Sequence, residues 1–141
     1  MGGIMDIDKA VEEIILAAQK QTHYYDNGKV GTGNKYANKL FALSNELKQN
    51  LNDSHKVIDA LIDNDHINVV LWICQLALDV DYRKRYAVKA LRKINKTAPK
   101  WQDSHNAYMT LITHGIKADP LSMKKDPLFE RYRNTNKKQT Q

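Results

Sequence analysis

Sulfur crosslinks, long apolar runs and catalytic motifs are all missing from this sequence, and each gap removes a class of protein. A single cysteine, Cys74, cannot form an internal disulfide, as expected of a chain that works in a reducing cytoplasm. The longest apolar run, Val69 to Cys74, has six residues, against the roughly 20 that a membrane-spanning helix needs. Met1 to Asp6 has neither the basic nor the apolar stretch of a secretory leader, so export by that route is not expected. The five histidines, His23, His55, His66, His105 and His114, are scattered, with no H-E-x-x-H and no paired cysteine, so metal-ligand spacing is absent. Gly28, Gly31 and Gly33 follow no apolar strand and lead to no Gly-Lys-Ser/Thr, which is not a phosphate-binding P-loop. The expectation is a protein without catalytic activity, cofactor or metal.

Acidic residues are also missing from one long stretch. Residues 83–101 contain Arg83, Lys84, Arg85, Lys89, Arg92, Lys93, Lys96 and Lys100 and no Asp or Glu, a net charge of +8. Residues 1–82 carry a net −5, residues 102–116 a net −1 and residues 117–141 a net +4. The overall +6 thus conceals an acidic front half joined to a basic back half. The remaining composition, 42% hydrophobic and 27% charged, is that of a globular chain with enough length to bury a core.

What is present is helical periodicity almost throughout. Ile7, Val11, Ile14, Ile15 and Ala18 recur at three- and four-residue spacing after the capping residues Asp6 or Asp8. His23 to Asn34, with its three glycines, reads as a loop. A second helix is expected from about Lys35 to Gln49. A short third one follows a cap at Asn52-Asp53-Ser54, with Val57, Ile58, Leu61 and Ile62 inward. Val69 to Leu78 is apolar nearly all round and competes between strand and helix. Its length and the lack of a second strand to pair with favour a buried central helix. A fifth helix runs from Tyr82 to about Lys96 with Ala87, Ala90, Leu91 and Ile94 inward. A sixth is capped by Asp103 or Ser104 and stops at His114-Gly115. The predicted fold is all-α, an antiparallel helical-repeat (HEAT/armadillo-like) domain over residues 1–116. Pairs 54–79 and 82–114 are candidate repeats. Residues 117–141 form a basic C-terminal tail that Leu128, Phe129 and Tyr132 can dock, with Asn134 to Gln141 expected to be disordered.

Specific residues sharpen this reading. The run Asn68-Val69-Val70-Leu71-Trp72-Ile73-Cys74, then Ala87-Val88-Lys89-Ala90-Leu91-Arg92-Lys93-Ile94, then Ala107-Tyr108-Met109-Thr110-Leu111 with Gly115, resembles a family of small bacterial all-α proteins of unassigned function. Asn34 to Phe41 resembles that family's second helix. The family pattern is a V-x-L-W-A-A helix, an A-x-x-x-L-x-x-I helix and an A-x-M-T-L-x-x-W-x-x-G ending. Here Ile73-Cys74 replaces the paired alanines, and the terminal tryptophan is absent. The likeness covers roughly residues 30–115 and rests on core positions. It implies an armadillo/HEAT-like fold. Similar helical-repeat proteins act as immunity proteins beside bacterial toxins, so the resemblance implies a cognate toxin protein as partner.

Two surfaces carry the binding expectation. On a helix from Tyr82, Arg85, Lys89, Arg92, Lys93 and Lys96 fall opposite the inward stripe, making a cationic ridge about three turns long. Trp101 stands just beyond it. Exposed helices ordinarily mix charge signs, so an acid-free ridge points to an anionic partner, either an acidic protein or a phosphate backbone. No recognised nucleic-acid motif is present, and the acidic front half would repel phosphate. The second surface is the glycine-rich segment with Tyr24 and Tyr25, aromatic residues of the kind that anchor interfaces. Tyr24, Tyr25, Arg85, Lys89, Arg92, Lys93, Lys96 and Trp101 are therefore the predicted partner-binding residues. His66 beside Asp63 and Asp65, the Asp79-Val80-Asp81 pair and the apolar-helix thiol of Cys74 read as turn, cap and core residues rather than chemistry.

Overall fold

Asp6 starts the first helix by accepting the Lys9 backbone N–H on its carboxylate at 3.2 Å, which satisfies one of the orphan donors of a helix N-terminus. The structure, a computed structural model, describes residues 6–120. Among these it contains six helices and no strand: α1 (Ile7–Asp26), α2 (Val30–Lys48), α3 (Leu51–Leu61), α4 (Ile67–Asp79), α5 (Lys84–Thr97) and α6 (Trp101–Thr113). The predicted docking residues Leu128, Phe129 and Tyr132 and the 134–141 end lie outside the described residues.

The chain divides into two units, residues 1–88 and 89–141. In the first, α1 packs on α2, α3 and α4, and α3 and α4 pack on each other. Alanines at 10, 17 and 18, with Ile14, are the buried face of α1, and such short side chains permit close approach of neighbouring backbones. Leu40 and Leu47 of α2, Val57, Ile58 and Leu61 of α3, and Val69, Ile73, Cys74 and Leu76 of α4 complete this core. α4 resolves the strand-or-helix competition in favour of helix. Eight of its residues are buried, so burial on nearly all sides overrides β-propensity.

The helix boundaries correct the sequence reading in four places. The expected His23–Asn34 loop shrinks to Asn27, Gly28 and Lys29, because α1 runs on to Asp26 and α2 begins at Val30. The side chain of Asn27 donates to the His23 carbonyl at 2.7 Å and Gly28 takes φ +74°, so two residues suffice to close α1. α3 is capped by Asn50, whose side chain accepts from the Asp53 N–H at 3.3 Å. Asn52, Asp53 and Ser54 lie inside its first turn instead. α4 ends with Asp81 at φ 54°, its N–H directed at the Leu78 carbonyl and that of Tyr82 at the Ala77 carbonyl. This is a Schellman ending with aspartate where glycine is usual. α5 therefore starts at Lys84, after Arg83 at φ 51°. Finally, Asp103 and Ser104 are internal to α6, whose N-cap is Lys100.

In the second unit, Leu91 and Asn95 are buried along α5 and Ala98 just after its end, and Ser104, Ala107 and Leu111 along α6. Asn95 and Ser104 bond reciprocally. Ser104 Oγ donates to the Asn95 carbonyl at 2.5 Å, and Asn95 Nδ2 donates to the Ser104 carbonyl at 3.2 Å. The inward stripe expected for α5 was Ala87, Ala90, Leu91 and Ile94. Ala87 and Leu91 are buried, Ala90 and Ile94 are half-buried, and Asn95 and Ala98 are additional buried positions.

Candidate partner-binding surfaces

Five predicted cations share α5. Arg85, Lys89, Arg92, Lys93 and Lys96 are all exposed, as their placement opposite the buried positions requires. Among the described residues, none of Arg85, Lys89, Lys93 and Lys96 forms an ion pair. The guanidinium of Arg92 is steadied by the Lys117 carbonyl, which accepts from Nη2 at 2.9 Å. The first turn of α5 holds Lys84 and Arg85 and no acid, although a helix N-terminus favours negative charge. Trp101 opens α6, half-buried, with its ring 5.3 Å from that of His105 one turn on.

Tyr24 and Tyr25 are brought together at the end of α1 rather than on a loop. The Tyr24 ring stacks on that of Tyr36 from α2 at 5.7 Å and 8° between planes, while the His23 ring meets Tyr24 edge-on. Tyr25 donates its hydroxyl to Asn34 Oδ1 at 2.6 Å and lies against Gly33. Both tyrosines are half-buried. They are held in place by the α1–α2 hairpin, which lowers the entropy lost if a partner covers them.

A third cluster escaped the sequence reading. The imidazole of His55 stacks on the Tyr82 ring at 3.8 Å. Tyr82 donates to the Asp59 carboxylate at 2.9 Å, and Arg83 pairs with the same group at 3.3 Å. Tyr86 donates to Asp63, and the Arg83 guanidinium lies 4.8 Å from the Tyr86 ring centre. Hydrogen bonding to the carboxylates pushes both phenols above their ordinary range, since each carboxylate holds the proton and repels a phenolate. The signal was available in the spacing: His55 and Asp59 are four apart on α3, with Asp63 four further on just past its end, and Tyr82, just before α5, is four from Tyr86 within it. Only folding shows that the two sets face each other.

Asp79 pairs with Lys48 at 2.9 Å, and Asp81 closes α4. His66 occupies the N-cap of α4, its backbone N–H donating to Asn64 Oδ1 at 2.9 Å. Its Nδ1 is buried without a hydrogen-bond partner among the described residues. Burial pushes the Cys74 thiol up to about 12, which leaves it a neutral core side chain. Among the described residues, no three His, Cys, Asp or Glu side chains are arranged to hold a metal ion. No helix among them is long and apolar enough to cross a membrane. Compared with family models, curated proteins and solved structures, the chain matches none.

Proposed function

We propose that this protein is a binding module, a bacterial cytoplasmic immunity protein that neutralises a cognate toxin by direct contact. The observation that carries the reading is the exposed cation row of α5, which has no acidic counterpart among the described residues. Ordinary helix faces mix signs. A row of one sign attracts and orients an oppositely charged partner, raising its association rate and fixing its register. Arg85, Lys89, Arg92, Lys93 and Lys96 supply the attraction. Tyr24, Tyr25 and Trp101 are residue types that dominate interface energetics when water is excluded around them. Such inhibition needs no cofactor and no catalytic group: the toxin's working surface is covered. The armadillo/HEAT-like reading of the short-turn hairpins α1–α2 and α3–α4 belongs to the same proposal.

The deciding experiment pairs the purified chain with the toxin domain encoded immediately beside its gene. A stable stoichiometric complex that abolishes toxicity supports the immunity reading, and its absence overturns it. The same cations favour nucleic acid as the second reading. A complex with duplex or single strand whose affinity falls steeply with salt, and which Arg85→Glu and Arg92→Glu weaken, would install that reading instead.

A further inference from the structure

The cation row works against the helix that carries it. In α5, Lys89 has Arg92 and Lys93 as its three- and four-residue neighbours, and Lys96 stands at the same spacings from both. Like charges at these intervals destabilise a helix. Among the described residues no carboxylate relieves Lys89, Lys93 or Lys96. The sequence keeps an arrangement that costs stability in the free protein, the usual mark of a surface shaped for something that binds it.

We propose that Lys89, Arg92, Lys93 and Lys96 form the seat of an acidic helix belonging to the partner protein, an inference that rests on the protein-binding reading above. The four positions span eight residues, about 10.5 Å along the axis, and fall within an arc of about 100°. The row is therefore straight and narrow. A second helix laid beside α5 offers carboxylates at the same three-, four- and seven-residue intervals and matches the row along its length. Ala90 and Thr97 lie along one side of it and are short, so they leave that side of the row open to a second helix. A duplex offers a poorer match, because its phosphates wind across a straight helix and only a few come within reach. Arg92, already steadied by the Lys117 carbonyl, can engage a partner carboxylate with its remaining donors.

The test needs no toxin. Two alanine-based helical peptides of one composition are compared, one with four glutamates on a single face at the matching intervals, the other with them spread round the helix. Binding to the full chain is read by fluorescence anisotropy at about 0.15 M salt, with a DNA duplex of about 20 base pairs as the third probe. The one-face peptide is expected to bind about tenfold or more tightly than either rival. Lys89→Glu is expected to lose that advantage while melting no lower than the parent, since it turns repulsions with Arg85, Arg92 and Lys93 into attractions. Equal binding of the two peptides, tighter binding of the duplex, or an unchanged Lys89→Glu affinity would each overturn the proposal. The two readings fail separately. A toxin complex indifferent to Lys89→Glu removes the seat but keeps the immunity protein, and a selective peptide without any toxin complex does the reverse.

Discussion

A Cβ placed on Gly33 would lie 2.4 Å from Cδ1 and Cε1 of Tyr25, so the tyrosine ring fills the space that any other residue at 33 would need. The glycine sits inside α2, where alanine ordinarily stabilises by about 0.5–1 kcal/mol. Here overpacking outweighs propensity, at a typical cost of about 1–3 kcal/mol. Gly33→Ala is expected to lower stability by about 1 kcal/mol, read as a lower urea midpoint. Gly31→Ala, which meets nothing within 4 Å among the described residues, is expected to raise stability by about 0.5 kcal/mol. Combining Tyr25→Ala with Gly33→Ala should restore the helix gain. If the two glycines respond alike, Tyr25 does not pack as described.

The Schellman ending of α4 makes the second prediction. Asp81 holds φ 54°, a conformation that glycine adopts without steric cost. Asp81→Gly is therefore expected to raise the thermal midpoint, by a stabilisation of about 0.5–1 kcal/mol. Asp81→Val, with its branched Cβ, is expected to lower it. A destabilised glycine variant would mean that the aspartate side chain holds the turn.

Asn95 and Ser104 solve a problem that Pro99 creates. The carbonyl of Asn95 would ordinarily accept the N–H of residue 99, but proline has none. Ser104 Oγ donates to that carbonyl instead, at 2.5 Å, and the Ser104 side chain is fully buried. Ser104→Ala leaves a buried carbonyl without this donor, so a loss of about 1–3 kcal/mol is expected in chemical denaturation. Ser104→Thr retains a hydroxyl and should lose less if its methyl group fits. A neutral Ser104→Ala would show that water reaches the carbonyl.

The thiol of Cys74 supplies a pH dependence with a definite sign. Its folded value is raised to about 12 from the ordinary 9.0 by desolvation. The neutral form is favoured in the fold, so this contribution is fully present below pH 9.0 and is lost as pH climbs toward about 12. In that window the unfolded chain has already released the proton, and stability falls by about 1.4 kcal/mol per pH unit for this one group. The raised phenols of Tyr82 and Tyr86 act in the same direction at higher pH. Cys74→Ser should flatten the alkaline limb of the stability curve, and a thiol reagent should label the parent only as fast as it unfolds. Rapid labelling of the folded protein at neutral pH would contradict the burial.

The sequence by itself determined the helical class and much of the core. Apolar spacing placed all six helices, and the all-round apolarity of Val69 to Leu78 identified α4 as the buried element, because burial on every side leaves no polar face to write into the sequence. The exposure of Arg85, Lys89, Arg92, Lys93 and Lys96 was equally legible, since helical geometry alone turns them away from Ala87 and Leu91. Tertiary structure decided the rest. Gly31 and Gly33 spell a loop locally, yet Gly33 belongs to a helix because Tyr25 packs on it. Asp81 and Arg83 take left-handed conformations that neither residue type announces. His55, Asp59 and Asp63 meet Tyr82, Arg83 and Tyr86 only because α4 reverses the chain between them. Local periodicity records which side of a helix avoids water. It does not record which helix lies opposite, and contacts more than 20 residues apart, such as Tyr82 with Asp59, exist only once the chain has folded back on itself.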